Sequence, residues 1–199
     1  MNYISRIVLL LAIFASNVSQ ATVIDFEGQS AFANTNGSFF DIGGYRFTLT
    51  DVNSGFLDVT NQTGLIDDNS TKLFSANHAI LTLSRADGGL FDLLSFDIAG
   101  SWTQSPNRWA SSVDVTSSAG TTSAVLAGQP AAYQTITPGF MGVSSVAFTP
   151  NGHIGGSPYD FEFDLDNINV QSSVPEPASL ALLAIGLIGF AFVRQRKNV

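Results

Sequence analysis

Residues 161–170 read FEFDLDNINV, and this stretch decides the fold. Phe161, Phe163 and Leu165 alternate with Glu162, Asp164 and Asp166. A period of two puts the apolar set on one face of a strand and the acids on the other. After Asp166-Asn167 the apolar phase slips to Ile168 and Val170, which predicts a bulge that re-aims a side chain.

The same period recurs through the body of the chain. Tyr45-Phe47-Leu49, Ala79-Leu81-Leu83 and Leu94-Phe96-Ile98 each alternate with polar residues. Val113-Val115 and Val146-Phe148 do so over shorter spans. Gly43-Gly44, Asp87-Gly88-Gly89, Gly120, Pro138-Gly139 and Asn151-Gly152 fall between the runs, where turns need positive φ. No helical period and no internal repeat is visible. Many short half-buried strands with few charges predict an all-β, antiparallel β-sandwich, jelly-roll-like, of about eight to ten strands.

Composition supports an exported β-protein. Of 199 residues 45 % are hydrophobic and only 12 % charged, with sixteen Phe. The formal net charge is −8, and the body is more acidic still, because Arg6, Arg194, Arg196 and Lys197 lie at the two ends. Without a basic stripe to neutralise phosphates, nucleic acid is excluded as the expected partner. The absence of cysteine excludes disulfides, zinc-thiolate sites and cysteine nucleophiles.

The ends have their own grammar. Arg6, an apolar run from Ile7 to Ala15, and small residues Ser19 and Ala21 at −3 and −1 of a cleavage site spell a secretory signal peptide over residues 1–21, its apolar run a signal helix. Residues 22–173 are then the sandwich and 174–199 a tail. Within the tail, residues 178–193 carry no charge and are apolar on all sides. As a transmembrane helix they rise about 24 Å, somewhat short of a ~30 Å hydrocarbon core. Pro175 and Pro177 set the start of that helix, and Arg194, Arg196 and Lys197 hold its end on the cytoplasmic side.

Pro175-Glu176-Pro177, the apolar run and the basic cluster, in that order at the C-terminus, resemble the PEP-CTERM sorting tail of Gram-negative bacteria. The resemblance implies recognition by an exosortase, transient membrane residence, and final placement in the envelope or an exopolysaccharide or biofilm matrix. The body is similar to jelly-roll domains that precede such tails, through VIDFEG (23–28), GGYRFT, FDLLSFDIAG, GVSSVAFT and FDLDNINV.

Two constellations are candidates for binding. Glu162, Asp164 and Asp166 share one strand face, about 6.6–6.8 Å apart. Asp25 and Glu27 join them where the first and last strands pair. Asp25, Glu27, Asp164 and Asp166 are then candidate ligands for a structural Ca2+, which takes six to eight hard oxygens. The bland reading is a wet sheet face of alternate acids, and the lack of an EF-hand-type loop favours it. Trp102 and Trp109 bracket SWTQSPNRW, where two indoles beside Gln104, Asn107 and Arg108 suit stacking on a sugar. Burial of one or both indoles in the core is the favoured alternative.

No catalytic residue is assigned. His78 and His153 are the only histidines, and no Gly-x-Ser-x-Gly elbow, His-Glu-x-x-His, P-loop or dinucleotide fingerprint occurs. The expectation is a non-catalytic exported protein, adhesive or glycan-binding, interacting with extracellular polysaccharide. The alternative is a secreted glycoside-acting enzyme on the same scaffold.

Overall fold

Fourteen strands, most of them three to six residues long, divide into two antiparallel sheets in the computed structural model, which describes residues 20–50, 55–62, 70–102, 106–129, 132–153 and 161–173. The strands are β1 (Ala21–Ile24), β2 (Ala31–Ala33), β3 (Phe39–Ile42), β4 (Tyr45–Thr50), β5 (Phe56–Thr60), β6 (Lys72–Ala76) and β7 (Ile80–Arg85). The second half supplies β8 (Phe91–Ala99), β9 (Ala110–Ser117), β10 (Gly120–Val125), β11 (Gln134–Ile136), β12 (Phe140–Val143), β13 (Ser145–His153) and β14 (Phe163–Ser172). The larger sheet runs β11-β8-β14-β6-β5-β2, with β12 also on β8 and β1 also on β14. The smaller runs β10-β9-β13-β7-β4-β3.

The alternation read from the sequence is the alternation the fold uses, except in β8, where an irregularity opposite β14 turns Leu93 and not the expected Leu94 into the core. Tyr45, Phe47 and Leu49, then Leu81 and Leu83, Phe96 and Ile98, Val113 and Val115, Val146 and Phe148, and Phe163 and Leu165 all point into one shared core. Rings from the two sheets meet there: Phe96 of the larger sheet meets Phe148 of the smaller edge-on at 5.2 Å, and Tyr45 meets Phe91 edge-on at 5.5 Å. Such pairs add about 0.5–1.5 kcal/mol each beyond the area they bury.

The count of strands exceeds the expected eight to ten. The surplus consists of pieces such as β2, β11 and β12, three or four residues long, too short for a period of two to register. Gly43 and Gly44, at φ 61° and 82°, make the two-residue turn between β3 and β4. Asn151-Gly152, read as a turn, instead lies inside β13, where Asn151 pairs with Ser112 and His153 with Ala110. Gly152, at φ 57°, takes up the irregularity without ending the strand.

The last strand is central. Its first half lies between β8 and β6, with Asp164 opposite Ala99 on one side and Phe74 on the other. Register with β8 then shifts between Asp166 and Asn169, Asn167 takes φ 47°, and the second half pairs with β1 in place of β6. The phase slip in the sequence is this bulge. The first strand pairs with the last, as expected, with Ala21 opposite Gln171 and Ile24 opposite Ile168. Residues 21–173 form one compact unit. The expected signal helix and transmembrane helix lie outside the described residues.

Candidate functional site

The outer face of the larger sheet is not the wet face that its alternating acids suggest. Glu162 and Asp164 are fully buried and Asp166 is 1 % exposed. The reading of a solvated acidic stripe is therefore corrected. Each carboxylate is held by other elements in place of water. Arg108, from the short 3-10 turn Pro106–Arg108, forms an ion pair with Glu162. Ser101 donates its hydroxyl to Asp164 Oδ1 at 2.9 Å. Ser70 donates to Asp166 Oδ2 at 2.7 Å, and the backbone N–H of Asn167 donates to Asp166 Oδ1 at 2.7 Å within the bulge. Buried charges persist only with such partners.

Of the four candidate calcium ligands, the structure brings Glu27 and Asp166 together and sets Asp164 and Asp25 apart. Glu27 Oε1 accepts from Thr71 N–H at 2.9 Å and lies 2.8 Å from the Ser70 hydroxyl, whose single proton it shares with Asp166, so Glu27 and Asp166 converge on Ser70. Asp164 faces Ser101, and the exposed Asp25 accepts from the N–H of Glu27, two residues on. Among the described residues no group of three or more acidic or histidine side chains is arranged for a metal.

The two tryptophans separate. Trp109 is 3 % exposed, and its ring lies over Gly100 so closely that a Cβ there would stand 2.1 Å from Cδ2. Its Nε1–H donates to the carbonyl of Trp102 at 2.9 Å. Burial, the favoured alternative, holds for Trp109. Trp102 is half-buried and belongs to a different set of rings.

That set crosses the outer face of the larger sheet. Cross-strand register aligns Phe32 of β2, Asp58 of β5, Phe74 of β6 and Asp164 of β14 in one row, with Phe56 opposite Ala76 in the next. The rings touch in series: Phe32 to Phe56 at 5.6 Å, Phe56 to Phe74 at 5.6 Å, and Phe74 to Trp102 at 6.3 Å. Arg108 closes the series, its Cζ 5.0 Å from the centre of the Trp102 ring. Phe74 is buried as the floor, Phe56 and Trp102 are half-exposed, and Phe32 is 57 % exposed at the sheet's edge. Asp58 sits among these rings, and its burial pushes the carboxyl above the usual carboxylate range. The indole N–H of Trp102 is shielded from solvent and has no hydrogen-bond partner among the described residues. A face of this kind offers flat apolar rings, an acceptor at Asp58 and donors at Arg108.

The sequence pointed to Trp102 but not to Phe32, Phe56 or Phe74. A signal exists in hindsight: FLDVT and KLFSA place Phe at positions whose neighbours, Leu57, Val59 and Leu73, fill the core. An outward Phe on an antiparallel sheet calls for an explanation, since the outer face is ordinarily polar. The phase of these two strands is set by pairing with β14 and β2, which the sequence does not display. Of the predicted cleavage pair, Ala21 opens β1, and Ser19 lies outside the described residues together with Pro175, Glu176, Pro177, Arg194, Arg196 and Lys197.

No curated protein matches the chain. Among solved structures, a family 29 carbohydrate-binding module is similar at 14 % identity and a TM-score of 0.35, over 82 % of this chain and 99 % of the module. A mutant of the family 29 module CBM29-2 is similar at 14 % identity and a TM-score of 0.34, over 83 % of this chain and 96 % of its own. The tail gives the defined match: residues 173–197 are a PEP-CTERM protein-sorting motif, the mark of an exported, sorted protein.

Proposed function

We propose that this is a non-catalytic, exported protein whose sandwich binds a glycan across the outer face of the larger sheet. On this reading the signal peptide is removed after Ala21. The tail then holds the precursor at the membrane until an exosortase processes it at or near Pro175-Glu176-Pro177, and the body enters the envelope or the extracellular polysaccharide. Cleavage after Ala21 fits the fold, because Thr22, Val23 and Ile24 keep their pairing with β14.

One observation carries the glycan reading: the connected rings Phe32, Phe56, Phe74 and Trp102, flanked by Asp58 and Arg108. Sugar rings present apolar C–H faces ringed by hydroxyls. Stacked aromatics bind the former, and fixed carboxylate and guanidinium groups bind the latter. An enzyme would need an acid and a base beside the same bond. Here Glu162, Asp164 and Asp166 lie beneath the surface, each taken up by a structural partner.

A glycan array followed by titration tests the proposal. Trp102→Ala is expected to weaken binding at least about tenfold, equivalent to about 1.4 kcal/mol. Undiminished binding in Trp102→Ala and Phe56→Ala would remove this face from consideration. Release of reducing sugar by the wild-type protein would overturn the non-catalytic reading.

A further inference from the structure

One charge in the aromatic row has nothing set against it. Asp58 stands in the middle of β5, directly opposite Phe32 on β2 and directly opposite Phe74 on β6. Residues so paired share a face, with Cβ atoms about 4.5–5.5 Å apart. Phe56 lies two residues back on the same strand, hence on the same face, and its ring touches those of Phe32 and Phe74, each at 5.6 Å. Three touching rings thus border the carboxylate on three sides. Phe74 is buried, Phe56 and Asp58 are half-buried, and Phe32 is exposed.

Among the described residues no hydrogen-bond donor and no cation reaches Asp58. The two basic side chains on this face do not serve it. Arg108 is ion-paired with Glu162 and lies over Trp102. Lys72, two residues before Phe74 on β6, is buried and exerts no pull on Asp58; burial alone acts on that carboxyl. The face of a benzene ring carries the negative part of its quadrupole, so the rings do not relieve the carboxylate. What satisfies both is a cation, drawn by the carboxylate and by the ring faces together. A metal ion prefers a shell of oxygens, whereas rings with one carboxylate suit an organic ammonium group.

We propose that Phe32, Phe56, Phe74 and Asp58 form a cation box, and that the glycan bound on this face carries unsubstituted amino sugars whose ammonium groups enter it. The inference rests on the glycan reading above and narrows it to one class, a cationic polysaccharide with free amines. A uronic-acid polymer would bring like charge to Asp58, and an N-acetylated one brings no charge to the box. The body as a whole acts in the same direction, with four basic residues against fifteen acidic ones between residues 22 and 173.

The test titrates the full-length chain, in a non-ionic detergent without sugar headgroups, by calorimetry at low salt and about pH 6, where the amines are charged. The probes are a glucosamine tetramer and its fully N-acetylated counterpart. The free-amine tetramer is expected to bind at least about tenfold more tightly. Asp58→Asn, checked for folding by its Tm, is expected to bring the two affinities together, and Phe56→Ala to narrow the gap. Equal affinities in the wild-type protein overturn the box and leave the glycan reading standing. A preference that survives in Asp58→Asn belongs to the acidity of the body at large and also overturns it. Binding of other glycans on the array but of neither tetramer overturns the box alone, and binding of no glycan at all overturns both readings.

Discussion

Gly100 shows how one missing methyl group positions a ring. Trp109 occupies the space a Cβ would need, at 2.1 Å from Cδ2 and 2.4 Å from Cε3. Gly100→Ala must push the indole out and break its bond to the Trp102 carbonyl, so the loss reaches the aromatic row through Trp102. The expected destabilisation is about 1–3 kcal/mol, the range for overpacked cores, measured by urea unfolding with tryptophan emission as a second readout. Asp58 makes the opposite case. Burial raises its folded-state pKa above the ordinary 3.8, so its ionised form opposes folding at neutral pH. Asp58→Asn is expected to raise Tm at neutral pH. The gain should fade as pH falls through the folded pKa and vanish below 3.8, where both states of the wild-type side chain are protonated. The same substitution should weaken glycan binding, because a carboxylate that accepts two hydroxyls becomes an amide that accepts fewer. A residue that lowers stability while sitting among exposed rings is the usual mark of a working site.

At the scale of elements, β14 decides most of the outcome. Its bulge lets one strand serve two neighbours, β6 before Asn167 and β1 after it. Asn167 holds φ 47°, a conformation that Asn tolerates and β-branched residues resist, and it donates its side-chain amide to Asp97 Oδ2 at 3.0 Å. Asn167→Val should therefore destabilise the fold by about 1–2 kcal/mol from the backbone alone, whereas Asn167→Gly should be milder; thermal unfolding of the two variants separates backbone from side chain. This bulge was legible, because the apolar phase slips in sequence. The inward faces of β4, β7, β9, β13 and β14 were legible for the same reason. The burial of Glu162, Asp164 and Asp166 was not. Alternation gives the side of a sheet but not what covers it, and the partners Arg108, Ser101 and Ser70 come from segments 54, 63 and 96 residues away. The aromatic row was hidden likewise, since Phe32, Phe56, Phe74 and Trp102 become neighbours only through pairing across β2, β5, β6 and β14.

For the whole molecule, the aromatic row and the tail-bearing end lie at opposite ends of β14. Asp164 belongs to the first and Ser173 ends the second, about 25–30 Å apart at strand rise. The tail's sorting role was readable because it resides in a contiguous string of residue types, whereas the aromatic row is assembled from three separated strands and the segment that follows β8. The place of β14 carries a further consequence. It joins β11, β8 and β12 to β6, β5 and β2 and is the sole partner of β1, so without it the larger sheet falls into two groups of three strands and a lone β1. A chain truncated at residue 160 is expected to show no cooperative unfolding transition by circular dichroism, even though thirteen of its fourteen strands remain. In the cell, the keystone of the larger sheet is thus the last part of the body to be synthesised and the last to cross the membrane. A chain that has not yet received it is expected to remain open enough to be threaded, so that the order of translation would delay folding.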